Sequence, residues 1–470
     1  MRNFRLTSRI LKRKSDHAFA VCYFKTTQIM LTRESIETLI NTIATDNRYG
    51  PNVKIIQICL VTFPPEAKSE LNGLPLTKKE RETFEMTSSA DKGTNILQQK
   101  LHITIKRARR RLYGRHYHSQ AALRKQCLDV TLLADALRRL PSLESITILG
   151  HLDPINPPWG ARKIQHDIGM WPPSVFPMPT RTHPSSAYNH LVYEKEVGRC
   201  FQRFCTHTMA VVFGSLLRSG IKLKGALKIE GAPYSFLVPK KPDSRRIFPT
   251  ATPARTFSSD RIQDLLPAFS ELKELSLKTF HYPNYTPIDF APADFTPLSW
   301  IEKFVPLWSS IRILSISGAE HAHESSIFGN ISATSSTLAC GHLGSARFPF
   351  LRVLKISDTL FRIEDIIQML QNHRSTLQKF ATHNCRPVSR LDYVNLLQAL
   401  TSMPALVNVE LMRGSPKERH LRYNKSWTLD GIAGLTKIEI RKGTPAAFQD
   451  ALEGKIVAVL TNNMSYRGVT

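Results

Sequence analysis

The sequence has little of what most function classes require. Its 470 residues contain no uninterrupted apolar run near the roughly 20 that a membrane helix needs, so no membrane span is expected. Seven cysteines are an odd, scattered set without a paired framework, which fits a reducing cytosol or nucleus better than secretion. There is no Gly-rich phosphate loop, no G-x-S-x-G nucleophile turn, no kinase signature and no pair of zinc clusters. Cys200, Cys205 and His207 lie close together, but zinc sites pair ligands as C-x2–4-C and need a second cluster. Phe201 and Phe204 in that segment favour buried helical cysteines instead. His321 to Glu324 (HAHE) lacks the HExxH spacing that puts two histidines on one helical face. The expectation is therefore a non-enzymatic chain with no catalytic residues, no cofactor and no metal.

What the sequence has is a phrase that returns. It reads PNVKIIQI (Pro51–Ile58), PSLESITI (Pro141–Ile148), SELKELSL (Ser270–Leu277), SSIRILSI (Ser309–Ile316), PFLRVLKI (Pro349–Ile356), PALVNVEL (Pro404–Leu411) and GLTKIEI (Gly434–Ile440). A weaker copy lies at Leu377–Thr382 and a degraded one at Lys224–Ile229. Each fits L-x-x-L-x-L, whose last two apolar positions share a parity and point to one face of a strand. Steps from Leu351 to Leu377, Leu406 and Leu435 are 26, 29 and 29 residues. This is the spacing of leucine-rich repeats, in which neighbours stack because one unit cannot bury its apolar face alone.

Between the phrases the apolar period becomes helical. Ile363–His373 sets Ile363, Ile366, Ile367 and Leu370 on one face, and Tyr393–Met403 sets Val394, Leu397 and Leu400 on another. Val130–Leu140, Met209–Gly220 and Trp300–Trp308 read the same way. The expected fold class is α/β, an irregular leucine-rich-repeat solenoid with parallel strands on the concave side and helices outside. Residues 1–50 read as a short helical segment and 51–460 as the array. Pro-rich or Ser/Gly/Ala/His-rich insertions fall at 151–190, 231–253, 281–297 and 319–345, and 461–470 is a loose tail.

Net charge is +26, which raises nucleic acid, an acidic surface or an acidic protein as partners. Eight basic residues and no acid lie between Leu101 and Lys125; subtracting those eight from +26 leaves +18, so the excess is spread along the chain. The tract Lys106, Arg107, Arg109, Arg110, Arg111 and Arg115 has the composition of an import signal or a phosphate-binding patch, or of a solvated helix face. Tyr113, His116, Tyr117 and His118 follow closely enough to stack on bases. The first 15 residues are basic and acid-free, as a mitochondrial presequence is, but no continuous apolar core follows for a secretory signal.

The frame also says where a partner would dock. Its third, fifth and seventh positions oppose the core and line the concave surface. They are Ser145 and Thr147; Glu274, Ser276 and Lys278; Ser315 and Ser317; Lys355 and Ser357; Lys379 and His383; Asn408, Glu410 and Met412; Lys437, Glu439 and Arg441. Such a polar, mixed-charge row suits a peptide or protein better than a lipid or an aromatic ligand.

The amino terminus carries a resemblance. RLTSRIL (Arg5–Leu11), AVCYFKT (Ala20–Thr26) and LTRESIETL (Leu31–Leu39), leading into PNVKIIQI, resemble filamentous-fungal F-box and leucine-rich-repeat-like proteins. In that family a helical box is followed by a "YF"-type strand, a helix and irregular repeats. The resemblance implies that the box docks on a Skp-type adaptor of an SCF ubiquitin ligase while the repeats select the substrate, in cytoplasm or nucleus. The Leu-Pro-x-Glu-like start of a box is not found here, so Leu6, Ile10 and Leu11 are expected to be remnants of an incomplete adaptor contact. The runner-up expectation is a nuclear nucleic-acid-associated protein using Lys106–Arg115.

Overall fold

The structure is a computed structural model that describes residues 18–63, 94–150, 152–153, 155–169, 204, 207–233, 263–280, 305–317, 346–357, 360–361, 363–383, 385–387, 391–412 and 437–441. The chain forms two compact units, Met1–Ile221 with Arg246–Ser258, and Lys222–Arg245 with Ser259–Thr470. Both are α/β.

The first unit opens with helix α1 (18–24), followed by β1 (Thr26–Met30), α2 (Arg33–Thr38), β2 (Ile55–Cys59), α3 (Thr94–Lys125), α4 (Leu128–Arg138), β3 (Ser145–Leu149), α5 (Ala161–Ile168) and α6 (207–219). Strands β1, β2 and β3 pair in parallel and in register, with Gln28 beside Gln57 and Gln57 beside Thr147. Tyr23 and Phe24, where the family resemblance implied a strand, belong to α1; the strand starts at Thr26. Phe24 stacks on Tyr49 at 4.3 Å, which uses the pair as packing before the first β residue. Thr32 caps α2, its Oγ1 accepting from the Ser35 N–H, and the helix runs on through a π turn, Leu39–Ala44.

The second unit contains β4 (Ala226–Pro233), the short α7 (Leu266–Phe269), β5 (Glu274–Phe280), β6 (Ile313–Ser317) and β7 (Val353–Ser357). After them come β8 (Leu360–Phe361), α8 (Ile363–Asn372), β9 (Lys379–His383), β10 (Arg386–Pro387), α9 (Leu391–Thr401), β11 (Asn408–Met412) and β12 (Lys437–Arg441). Strands β4, β5, β6, β7, β9 and β11 are joined in that order, all parallel. The last phrase departs from the expected arrangement, because β12 pairs with β11 antiparallel. Short β8 and β10 form a separate parallel pair.

A common set of backbone contacts explains the parallel stacking. Two consecutive amides at the start of β2, β3, β5, β6, β7, β9 and β11 donate to one carbonyl at the start of the strand beside it. Arg312 and Ile313 donate to Lys273 O at 2.8 and 3.0 Å, Arg352 and Val353 to Arg312 O, Gln378 and Lys379 to Arg352 O, and Val407 and Asn408 to Gln378 O. In the first unit Lys54 and Ile55 share Lys25 O, and Glu144 and Ser145 share Lys54 O. Ahead of each clasp lies a tight turn, in which Leu143 N–H bonds Leu140 O, Leu272 bonds Phe269, Ile311 bonds Trp308, Leu351 bonds Phe348 and Leu406 bonds Met403. Pro141, Pro349 and Pro404 occupy the second turn position, where a fixed φ near −65° fits. The turn residues Leu140, Phe269, Trp308, Phe348 and Met403 are buried, adding a core position three residues before the L-x-x-L-x-L frame.

The helices cover the apolar side. In α8, Ile363, Ile366, Met369 and Leu370 are buried and Ile367 is half-buried; in α9, Leu396, Leu397 and Leu400 are buried. Val394 lies where side chains are not described. The Val130–Leu140 and Met209–Gly220 periods correspond to α4 and α6, while Trp300–Trp308 gives one 3-10 turn over Val305–Trp308 among its described residues.

Candidate functional site

The parallel register of the second unit arranges its outward side chains as three rows running across the strands. One holds Ala226, Glu274, Ile313, Val353, Lys379 and Asn408; the next Lys228, Ser276, Ser315, Lys355, Ala381 and Glu410; the third Glu230, Lys278, Ser317, Ser357, His383 and Met412. The intervening residues, such as Leu275, Leu277, Leu314, Ile316, Leu354, Ile356 and Phe380, are buried. Glu274, Ser276, Lys278, Ser315, Ser317, Ser357, Lys379, Asn408 and Glu410 are partly exposed, and Lys355 and His383 are exposed. Those of the expected row residues that lie on the second unit's parallel strands thus share one face.

Its charges are partly used within the face. Lys228 Nζ lies 2.9 Å from Glu274 Oε1, and Lys379 Nζ lies 3.3 Å from Glu410 Oε2. His383 Nε2 is 3.7 Å from the other oxygen of Glu410. Glu410 therefore sits between two basic groups, and the neutral centre of the face is the hydroxyl group of Ser276, Ser315, Ser317 and Ser357. Lys437, Glu439 and Arg441 belong to β12, whose antiparallel pairing sets Arg441 beside Asn408, Glu439 beside Glu410 and Lys437 beside Met412. Lys228 and Glu230 join the face without belonging to the expected row. Their strand is recognisable in the degraded phrase, but their outward positions follow only from register.

In the first unit the equivalent face is closed. The outward ends of its three strands, Met30, Cys59 and Leu149, are apolar and form a core with Phe63, Tyr113, Leu152, Ala161, Ile164 and Ile168. The insertion after β3 supplies α5, which lies with α3 over this cluster. The Trp159 N–H donates to Gln28 O at 3.3 Å, and a Cβ on Gly160 would lie 3.5 Å from Met30 Cε. Thr147, expected to line an open surface, is 5% exposed, and Ser145 is half-buried. Burial pushes the Cys59 thiol up to about 12, with Asp153 adding to the effect, so this cysteine is an inert core residue.

The basic tract lies on α3, where it divides by face. Arg107, Arg111 and Arg115 are exposed, Lys106 and Arg110 are half-buried, and Arg109 is 2% exposed. The Arg109 guanidinium lies over Gly169, the left-handed residue (φ 75°) that ends α5, where the helix's last carbonyls attract a cation. Tyr113 is core, meeting Phe63 edge-on at 5.5 Å, and His116 stacks on Phe63 at 5.4 Å. Neither is presented for base stacking. Burial lowers the His116 pKa, against the opposing pull of Asp167, whose Oδ2 is 3.6 Å from Nε2. Farther along, Gln120 is buried; its Nε2 donates to Leu31 O and Val61 O, while its Oε1 accepts from the Phe63 N–H, Thr62 Oγ1 and Arg124. These bonds fix the inner face of α3 against the chain leaving β1 and β2.

His207 pairs with Asp129: Nε2 and Oδ2 are 2.5 Å apart, and Asp129 is 1% exposed at the first turn of α4. No group of three metal-ligating side chains occurs among the described residues. No helix among them is long and apolar enough to cross a membrane. Cys200, Cys205, the HAHE stretch and the adaptor-contact residues Leu6, Ile10 and Leu11 lie outside the described residues. No protein-family model matches the chain, and no curated protein matches it in sequence.

Proposed function

We propose that the chain is a non-enzymatic recognition protein built from irregular leucine-rich repeats, with the outward sheet face of the second unit as its partner-binding surface. The observation that carries this reading is the contrast in one register. The buried parity of β4 to β11 is apolar except for Thr382, whereas the outward parity keeps charged and hydroxyl side chains accessible over six adjacent strands. A polar grid across adjacent strands suits an extended peptide or protein surface, whose affinity would come from a few central contacts. By the amino-terminal resemblance, the role is substrate recognition for an SCF-type ubiquitin ligase, with Leu6, Ile10 and Leu11 as the incomplete adaptor contact.

Affinity purification of the tagged chain tests both layers. A Skp-type adaptor and a cullin are expected in the eluate, with a further protein that disappears in the Ser315→Arg/Lys355→Glu variant. These two positions are preferable to Lys379, because reversing Lys379 would also strand Glu410. Retention of that further protein by the variant overturns the face assignment; an eluate without adaptor or cullin overturns the ligase role.

A further inference from the structure

We infer that the exposed edge of α3 docks on the phosphate backbone of a nucleic acid. The edge is a single stripe at three- and four-residue spacing: Arg107, Arg111, Arg115, His118 and, one further turn beyond Ala122, Lys125, all exposed. Residues four apart repeat about every 6 Å along a helix, and Arg107 to Lys125 spans about 27 Å, so the guanidinium groups form an evenly spaced row. No acid occurs between Lys92 and Leu128, so nothing on this helix offsets the row locally.

Three observations select a polyanion of this kind. The helix is preorganised, because Tyr113, Arg109 and the Gln120 bonds hold its opposite face in the core. That same face is the apolar one, and it is already spent on Phe63, Ile164 and their neighbours, which leaves little apolar surface for insertion into a lipid surface. The stripe itself has no large apolar anchor between Arg107 and Lys125, whereas stable protein interfaces deplete charge at their centre and bury aromatic or aliphatic anchors there. Beside the arginines stands Gly114. A Cβ there would meet nothing within 4 Å among the described residues, so their packing gives no reason for a residue that weakens a helix interior. Its lack of a side chain lets a phosphodiester chain approach the helix between Arg111 and Arg115. Such contacts neutralise phosphates and read no bases, so binding should be indifferent to sequence and steep in salt.

The test is a fluorescence-anisotropy titration of the full chain with a mixed-sequence 20-base-pair DNA duplex across salt concentrations. Arg107→Gln/Arg111→Gln/Arg115→Gln should reduce the slope of log affinity against log salt by about 2.7, about 0.9 for each phosphate no longer neutralised, and weaken binding near 0.1 M salt by at least about tenfold. The loss should be the same on a second duplex of unrelated sequence. Arg109→Gln, which removes a buried guanidinium, should lower the melting temperature and leave the slope unchanged. An unchanged slope in the triple variant overturns the inference, as does polyglutamate displacing the duplex as effectively as unlabelled duplex does. Neither readout depends on the second unit's face.

Discussion

The two units share a strand grammar and use it oppositely. Both start successive parallel strands with the same paired-amide clasp, at β2 and β3 in the first unit and at β5, β6, β7, β9 and β11 in the second, and bury the same parity, but the first unit hides its outward face and the second leaves it accessible. The difference lies in the residue just after the last apolar position of the frame. It is Met30, Cys59 and Leu149 in the first unit, and Glu230, Lys278, Ser317, Ser357, His383 and Met412 in the second, polar at all but the last. A wholly apolar row requires a cover, which α5 and α3 provide; a mostly polar row does not. A few side chains at the carboxyl ends of the strands thus decide whether a sheet face is covered or left accessible.

The comparison breaks most severely at Leu149. Leu149→Lys would place an unpaired charge among Met30, Cys59 and Ile164, and a loss of about 3 kcal/mol is expected in denaturant unfolding. Ser357→Leu, the mirror change at the same row position of the second unit, should stay within about 0.5 kcal/mol. Equal costs at the two sites would show that the faces are not differently covered. Next in size is Gly169→Ala. The residue has φ 75°, and its new Cβ would fall 2.5 Å from Arg109 Cζ, so about 2 kcal/mol should be lost, with faster amide exchange in α5. A neutral result would detach Arg109 from the end of that helix.

A gain is expected from Gly114→Ala, which meets no neighbour and should raise the first unit's stability by up to about 1 kcal/mol. A loss there would mean that α3 is packed on its exposed edge. The smallest effect is in pH. Burial lowers the pKa of His373, whose Nε2 accepts from the Phe348 N–H at 2.9 Å while Nδ1–H faces Met369 O at 2.6 Å. Its folded pKa lies below the ordinary value near 6.5, so the unfolded chain takes up the proton first. The contribution is whole above about pH 6.5 and lost as pH falls below it. His116 acts with the same sign in the first unit. His373→Gln should therefore flatten the acid limb for amides of α8 but not for those of α3, as read by hydrogen exchange. Flattening in both units would make the two histidines one coupled system.

Much of this contrast is legible in the sequence. The apolar frame locates the parallel strands from β2 onward, because side-chain parity is a local property of the chain. It does not locate β1, which carries no such phrase and lies within the 1–50 stretch expected to be helical. The closed face is not legible, although Cys59 and Leu149 stand next to recognisable phrases, because their cover comes from α5, inside a stretch whose prolines suggest only loop. The basic tract reads as a uniform face for a similar reason. Charge alone does not reveal that Arg109 follows Tyr113 into the interior while Arg107, Arg111 and Arg115 stay outside. Helical phase distinguishes them once the buried side of α3 is known. The antiparallel turn of β12 leaves no mark in its phrase, since alternation is the same in either direction.

The paired-amide clasp means that spacing between strands is fixed at each strand's beginning, independently of what the chain does in between. Segments as different as the step from Gly225 to Lys273 and the step from Arg352 to Gln378 arrive at the same geometry. Lengthening a connection therefore adds new chemistry at the margin while every ladder of outward residues keeps its pitch. An architecture of that kind can diversify one border freely and conserve its grid, as a keyboard keeps its key spacing whatever case is built around it.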